Sequence, residues 1–285
     1  MGADCPPWPA PVVVAHRGAS AHRAEHTLGA YALALAQGAG GVECDVRLSR
    51  DGHLVCVHDR TVNRTSDGRG VVSTLTLADL AGLDYGGWHD DLPDSPDQLI
   101  TVPHAVPSAR PDDRGLLTLE ALLGLMVDFG RDRKLFVETK HPVRYGSLVE
   151  TKLIAMLARH GLAKPPTKDE SPVVVMSFAS RAMRRIRELA PKLPTVLLLA
   201  RLRGGTASGV LPPWADITGP GINLLRAHPG YVERSRALGH PTYCWTTEDP
   251  SGLIPNDPAD VLLCQQLGVA YFASSSPALM LDALA

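Results

Sequence analysis

Residues 41–59 read Gly41-Val42-Glu43-Cys44-Asp45-Val46-Arg47-Leu48-Ser49-Arg50-Asp51-Gly52-His53-Leu54-Val55-Cys56-Val57-His58-Asp59, and this stretch decides the fold. Two apolar, β-branched runs flank Asp51-Gly52, a dipeptide suited to a tight hairpin because both residues tolerate positive φ. So short a turn joins antiparallel strands only, since parallel strands need a crossover of about a dozen residues or more. The run at 54–57 is therefore a return strand laid against the run at 41–46.

Working outward, strand-like runs at 12–16, 134–139, 173–177, 195–199, 216–224, 241–246 and 269–273 alternate with amphipathic segments at 26–37, 118–129, 147–160, 180–190, 228–238 and 258–267. Gly38, Gly161, Gly239 and Gly268 supply C-cap signals at segment ends. Setting the return strand aside leaves eight strands for a parallel sheet. The pattern predicts an α/β fold, a (β/α)8 TIM barrel, with residues 1–285 forming one domain. Residues 60–117 break the alternation just after the His58-Asp59 strand, which predicts a small inserted subdomain or lid. No Gly-rich loop follows the first strand, which counts against an open nucleotide-binding sheet.

The chain is 45% hydrophobic and 20% charged with a net charge of −2, the balance of a globular protein. It carries no basic stripe, so nucleic acid is not an expected partner. The basic run Arg181, Arg184, Arg185 and Arg187 has the spacing of a solvated helix face. Residues 1–7 lack a signal-peptide pattern. Pro6 breaks a myristoylation motif, and no apolar run approaches the roughly 20 residues of a transmembrane helix. Cys5, Cys44, Cys56, Cys244 and Cys264 are scattered and form no Cys-x-x-Cys pair, which points to a reducing, cytoplasmic setting. No feature specifies an oligomeric state.

Barrel active sites form at the C-terminal ends of the strands. The first strand ends in His16-Arg17-Gly18, the second carries Glu43 and Asp45, and the next barrel strand ends in Glu138-Thr139-Lys140. Glu43 and Asp45 are two apart, so they share a face. Three inward carboxylates repel one another unless a cation lies between them. Mg2+ or Ca2+ suits an all-oxygen set, with Mn2+ or Zn2+ as alternatives. If Asp51-Gly52 are the two loop residues, Asp45 lies opposite His58 and the imidazole hangs beside the carboxylates. His16 approaches from the neighbouring strand. Two imidazoles flanking a metal site suit general acid-base catalysis near neutral pH. Arg17 and Lys140 either grip a phosphate or form salt bridges with the carboxylates.

The stretches Ala15-His16-Arg17-Gly18-Ala19, Glu25-His26-Thr27, 41–46, Asp51-Gly52, Val57-His58-Asp59 and Glu138-Thr139-Lys140 resemble the glycerophosphodiester phosphodiesterase family. Ser177-Phe178 and Trp245-Thr246 extend the resemblance over nearly the whole chain, although the first sixty residues are its specific part. The resemblance implies metal-dependent hydrolysis of a small glycerophosphodiester to sn-glycerol 3-phosphate and an alcohol. It implies Glu43, Asp45 and Glu138 on the metal, His16 and His58 as the acid-base pair, and Arg17 and Lys140 on the phosphate. Phe178 and Trp245 would line the apolar side of the glycerol pocket. The attacking group would be water or the glycerol 2-hydroxyl.

Two positions depart from the family's pattern. His26 stands where the family usually has Asn, and is expected to cap the first helix. Ser274-Ser275-Ser276-Pro277 replaces a Thr-Asp-x-Pro ending, so a carboxylate near the mouth is missing and the head group is open. Two other readings remain at this stage. One is a related phosphodiesterase acting on lysophospholipids or sphingolipid head groups; the other is a non-catalytic binding protein on the same barrel.

Overall fold

The structure is a computed structural model, and it describes residues 8–90, 114–130, 132–246 and 256–285. Eight parallel strands run in the order β7-β6-β5-β4-β2-β1-β9-β8. They are β1 (Val12–His16), β2 (Gly41–Leu48), β4 (Lys134–Thr139), β5 (Val173–Ser177), β6 (Thr195–Leu199), β7 (Ile217–Pro220), β8 (Tyr243–Cys244) and β9 (Tyr271–Ser274). Parallel bridges from Thr218 to Thr242 and from Gly221 to Trp245 bring β7 against β8 and nearly close the barrel. Val14, Phe136, Val174, Met176, Val196, Leu198, Ile217, Tyr243 and Ala273 fill its interior. The larger apolar cluster packs the outer face of the sheet against helices that include α1 (Leu28–Ala36), α2 (Leu119–Phe129), α3 (Leu148–Arg159) and α4 (Ser180–Leu189). The arginines of α4 lie outside, Arg184 over the Trp214 ring and Arg187 on Asp216.

The short strand β3 (Leu54–Cys56) pairs antiparallel with β2, as the hairpin signal requires. Its register differs from the expected one. Val46 faces Cys56 and Leu48 faces Leu54, and Val57 N–H donates to the Asp45 carbonyl at 3.1 Å. Asp45 is thus opposite Val57, not His58. The loop holds three residues rather than two, because Ser49 N–H bonds the His53 carbonyl at 2.9 Å. Gly52 takes the left-handed position at φ +84°, and the Asp51 carboxylate accepts from the Ser49 hydroxyl at 2.6 Å. That is the three-residue hairpin with a left-handed glycine.

Other boundaries also shift. The expected strand 216–224 stops at Pro220, where the chain turns into the helix Ile222–Ala227. Pro277 at the first turn starts an unpredicted last helix, Pro277–Leu284. Within the expected insertion, Val62, Val72, Leu80 and Tyr85 pack with Val55 and Val57 of the preceding strand segment in a small apolar cluster. Residues 91–113 of that stretch, and Cys5, lie outside the described residues.

Candidate active site

The strand ends assemble the expected residues by register. His16 is level with Glu43, and Asp45 is level with Glu138. Level residues on neighbouring strands point the same way, so all four side chains reach one end of the interior. One ligand oxygen from each of Glu43, Asp45 and Glu138 lies within 4.8 Å of the others. All three residues are buried, and Glu43 Oε1 has no hydrogen-bond partner among the described residues. A buried, all-oxygen donor set with an unsatisfied oxygen fits a hard divalent cation.

The electrostatics show the same need. Burial, and then the Asp45 charge, pushes the Glu43 carboxyl well up. Burial raises Glu138 to about 7 against the pull of Lys140. Burial would also raise Asp45, but Lys140, His58, His26 and Arg17 outweigh it and hold that carboxylate well below its ordinary range. Lys140 Nζ lies 3.0 Å from Asp45 Oδ1 and 3.1 Å from Glu138 Oε1. Of its two readings, this structure displays the salt bridge.

Arg17 follows the same pattern. Its guanidinium lies 3.3 Å from Glu25 and 3.3 Å from Asp45. Its backbone is left-handed at φ +60°, and so is His26 at φ +58°. Such conformations cost about 1–3 kcal/mol each and concentrate at functional sites. Here the two residues hold each other. His26 N–H donates to the Arg17 carbonyl at 3.1 Å, and Arg17 N–H donates to Glu43 Oε2 at 3.1 Å.

His26 is not the cap of the first helix. Thr27 is, accepting from Ala30 N–H on its hydroxyl. The left-handed turn instead aims the His26 ring inward, with Nε2 3.0 Å from Asp45 Oδ2 and Nδ1 2.8 Å from the Tyr31 hydroxyl. A carboxylate only accepts, so Nε2–H is the donor and fixes one Asp45 oxygen.

His16 Nε2 is 3.8 Å from Glu43 Oε2. Burial, then the Arg17 charge, lowers its pKa well below the ordinary histidine value. Both effects favour the neutral ring. His58 reaches the site although the predicted register was wrong. The chain leaves β3 at Cys56, and Arg47 Nε and Nη2 clamp the His58 carbonyl at 3.0 and 2.7 Å. Asp59 Oδ1 holds His58 Nδ1 at 2.8 Å.

Arg64 joins the two halves of this network. It bonds both oxygens of Glu25 at 2.8 Å and both of Asp59 at 2.9 and 3.1 Å. Burial would raise Glu25, but Arg17 and Arg64 hold it far below the usual carboxylate range. Nothing in the local sequence marks Arg64, because its partners lie 39 and 5 residues away.

A cavity of about 260 Å³ opens beside the cluster, reaching Glu138 of its three carboxylates. His16, Arg17, His58, Glu138 and Lys140 line one side. Met176, Phe178, Leu198, Tyr243 and Trp245 line the other. Phe178 and Trp245 meet edge to face with ring centroids 5.3 Å apart, and Trp245 Nε1 is tied to the Gly219 carbonyl at 2.8 Å. Tyr243 is a lining residue the sequence did not single out, and its buried hydroxyl has no hydrogen-bond partner among the described residues. At the altered mouth, Ser274 and Ser275 share the Asn256 side-chain oxygen at 3.2 and 2.8 Å.

The chain is similar over most of its length to known proteins. A probable glycerophosphodiester phosphodiesterase 1 of Mycobacterium tuberculosis is 51% identical over 271 residues, 94% of this chain and 90% of the relative. A glycerophosphodiester phosphodiesterase of Bacillus subtilis is 32% identical, covering 76% of this chain and 73% of the relative. The crystal structure of an Agrobacterium tumefaciens glycerophosphodiester phosphodiesterase matches with a TM-score of 0.71 at 25% identity, over 95% of this chain and 99% of that one. A phosphodiesterase of Oleispira antarctica, solved with its product sn-glycerol-3-phosphate, shares the fold with a TM-score of 0.73 at 22% identity, over 96% and 97% of the two chains. The glycerophosphoryl diester phosphodiesterase family profile matches residues 16–278, and the chain belongs to that family.

Proposed function

We propose that the protein hydrolyses glycerophosphodiesters to sn-glycerol 3-phosphate and an alcohol, with His16 and His58 as the acid-base pair and a divalent ion on Glu43, Asp45 and Glu138. One observation carries the reading: both histidines and Glu138, one of three clustered buried carboxylates, line one cavity whose opposite wall is apolar. The related enzyme solved with sn-glycerol-3-phosphate supports the product. The ion, when bound, supplies positive charge to the phosphate oxygens.

The protein's own residues divide the remaining work. Phe178 and Trp245 pack the glycerol carbons. The neutral His16 takes the proton of the attacking hydroxyl. His58 delivers a proton to the leaving alkoxide, and Asp59 compensates the charge of the doubly protonated ring. Lys140 and Arg17 offset the negative charge that gathers on the phosphoryl group.

The test is release of sn-glycerol 3-phosphate from glycerophosphocholine by purified protein, screened with Mg2+, Ca2+, Mn2+ and Zn2+ and with EDTA. Metal-dependent release is the expected outcome. No release with any of the ions would overturn the reading.

A further inference from the structure

A second cavity, of about 440 Å³, lies beside the active site and takes no part in the chemistry above. Arg47, Arg60 and Arg144 line it, and no carboxylate does. None of the three makes an ion pair with a described residue. Arg144 stacks on the Tyr145 ring at 5.7 Å, and Arg47 spends Nε and Nη2 on the His58 carbonyl. Burial lowers the Arg47 pKa. Three guanidinium groups around one hollow repel each other, and a phosphate relieves that repulsion with charge-assisted, forked hydrogen bonds. The hydroxyl-bearing Ser73 and Thr74 complete the polar lining.

Both walls are fixed. The Tyr145 hydroxyl donates to the Ser73 carbonyl at 3.1 Å, and Val72 N–H donates to the Arg60 carbonyl at 3.1 Å. The hollow also shares its supports with the active site. Arg47 is two residues beyond Asp45 on one face of β2, about 7 Å along the strand. Arg60 follows His58 by two residues, and the Pro142–Tyr145 wall begins two residues after Lys140. A group placed here is within reach of a head group whose diester occupies the active site.

We propose that this arginine-lined hollow is a second phosphate subsite, and that its occupant is a phosphate carried on the head group of the substrate. The proposal rests on the glycerophosphodiester reading of the neighbouring site. It makes the enzyme selective for anionic head groups, which an apolar glycerol pocket alone cannot do.

A matched pair of ligands tests it: glycerophosphoinositol 4-phosphate against glycerophosphoinositol. In calorimetry on protein kept in EDTA, the phosphorylated ligand is expected to bind at least about tenfold tighter. In the Arg60→Ala/Arg144→Ala variant the gap is expected to close to within about twofold. Both side chains are exposed. Arg60→Gln and Arg144→Gln, which keep the stem, give a second set should the alanine pair fail to fold. Equal affinity for the two ligands in the wild type overturns the proposal, and so does a gap that survives in the variants. Inorganic phosphate is the third arm. If it fills the subsite while the wild type cleaves both ligands with equal kcat/KM, the occupant is a free anion and the head-group assignment falls. Absence of cleavage with any divalent ion breaks the functional reading instead, while the binding comparison still decides the subsite.

Discussion

The two walls of the active cavity are built on opposite principles. On the β1-β2-β4 side nearly every side chain is charged or polar, and each is held by another: His26 on Asp45, Arg17 on Glu25, Asp59 on His58, Arg64 on both acids. On the β5-β6-β8 side Met176, Leu198 and Tyr243 hold their places by packing, and Trp245 adds a single hydrogen bond to the Gly219 carbonyl. The difference teaches where precision comes from. Buried charge is tolerated only when paired, so the polar wall needs a network and acquires fixed positions as a result. The apolar wall needs only volume, so it sets shape and tolerates exchange more readily.

The largest expected effect is on the polar wall itself. His16→Ala and His58→Ala are each expected to lower kcat by about 10²–10⁴-fold with folding intact, as checked by turnover and circular dichroism. Near-wild-type turnover in either removes that residue from the mechanism. Next comes Arg64→Ala, which touches no reacting atom but frees Glu25 and Asp59. A loss of about 10–100-fold in activity or metal affinity is expected, the range for residues that orient ligands. If Arg64→Ala matched the wild type, the network would be ornament and the contrast between the walls would fail.

The apolar wall is expected to answer differently. Trp245→Ala should raise KM by about tenfold and change kcat less, because it removes packing felt equally by bound substrate and transition state. A collapse of kcat with unchanged KM would place Trp245 among the reacting groups.

The last contrast is in stability, and its sign differs between two glutamates of the polar wall. Glu25 has a lowered folded-state pKa. Its contribution is present above the ordinary carboxylate range, about 4, and is lost as the pH falls below it. Glu138 is raised to about 7. In ion-free protein its contribution is fully present below the ordinary glutamate range and is lost as the pH rises through about 7. A divalent ion should reverse that loss, adding about 2.7 kcal/mol at a hundredfold excess over Kd. Thermal melts at pH 5 and 8, with EDTA and with ion, check this. The ion should raise Tm more at pH 8 than at pH 5.

Much of the polar wall was legible in the sequence. Glu43 and Asp45 sit two apart on a strand, and Glu138 ends the strand beside it; period and strand order alone bring them together. His58 was placed correctly by a wrong route. A two-residue turn put it opposite Asp45, whereas the real three-residue turn puts Val57 there, and Arg47 carries His58 to the site instead. His26 was visible as a departure from the family pattern, but its left-handed backbone, and hence its contact with Asp45, was not.

By itself the sequence determined the barrel, the family and the carboxylate cluster. Those follow from hydrophobic periodicity, turn chemistry and strand-end position, which act over a few residues. Only the tertiary structure decided what those residues touch: the hairpin register, the turn of His26 onto Asp45, the Arg64 bridge and the hollow of three arginines. Each joins side chains from separate elements, and their geometry is set by packing that no local pattern encodes.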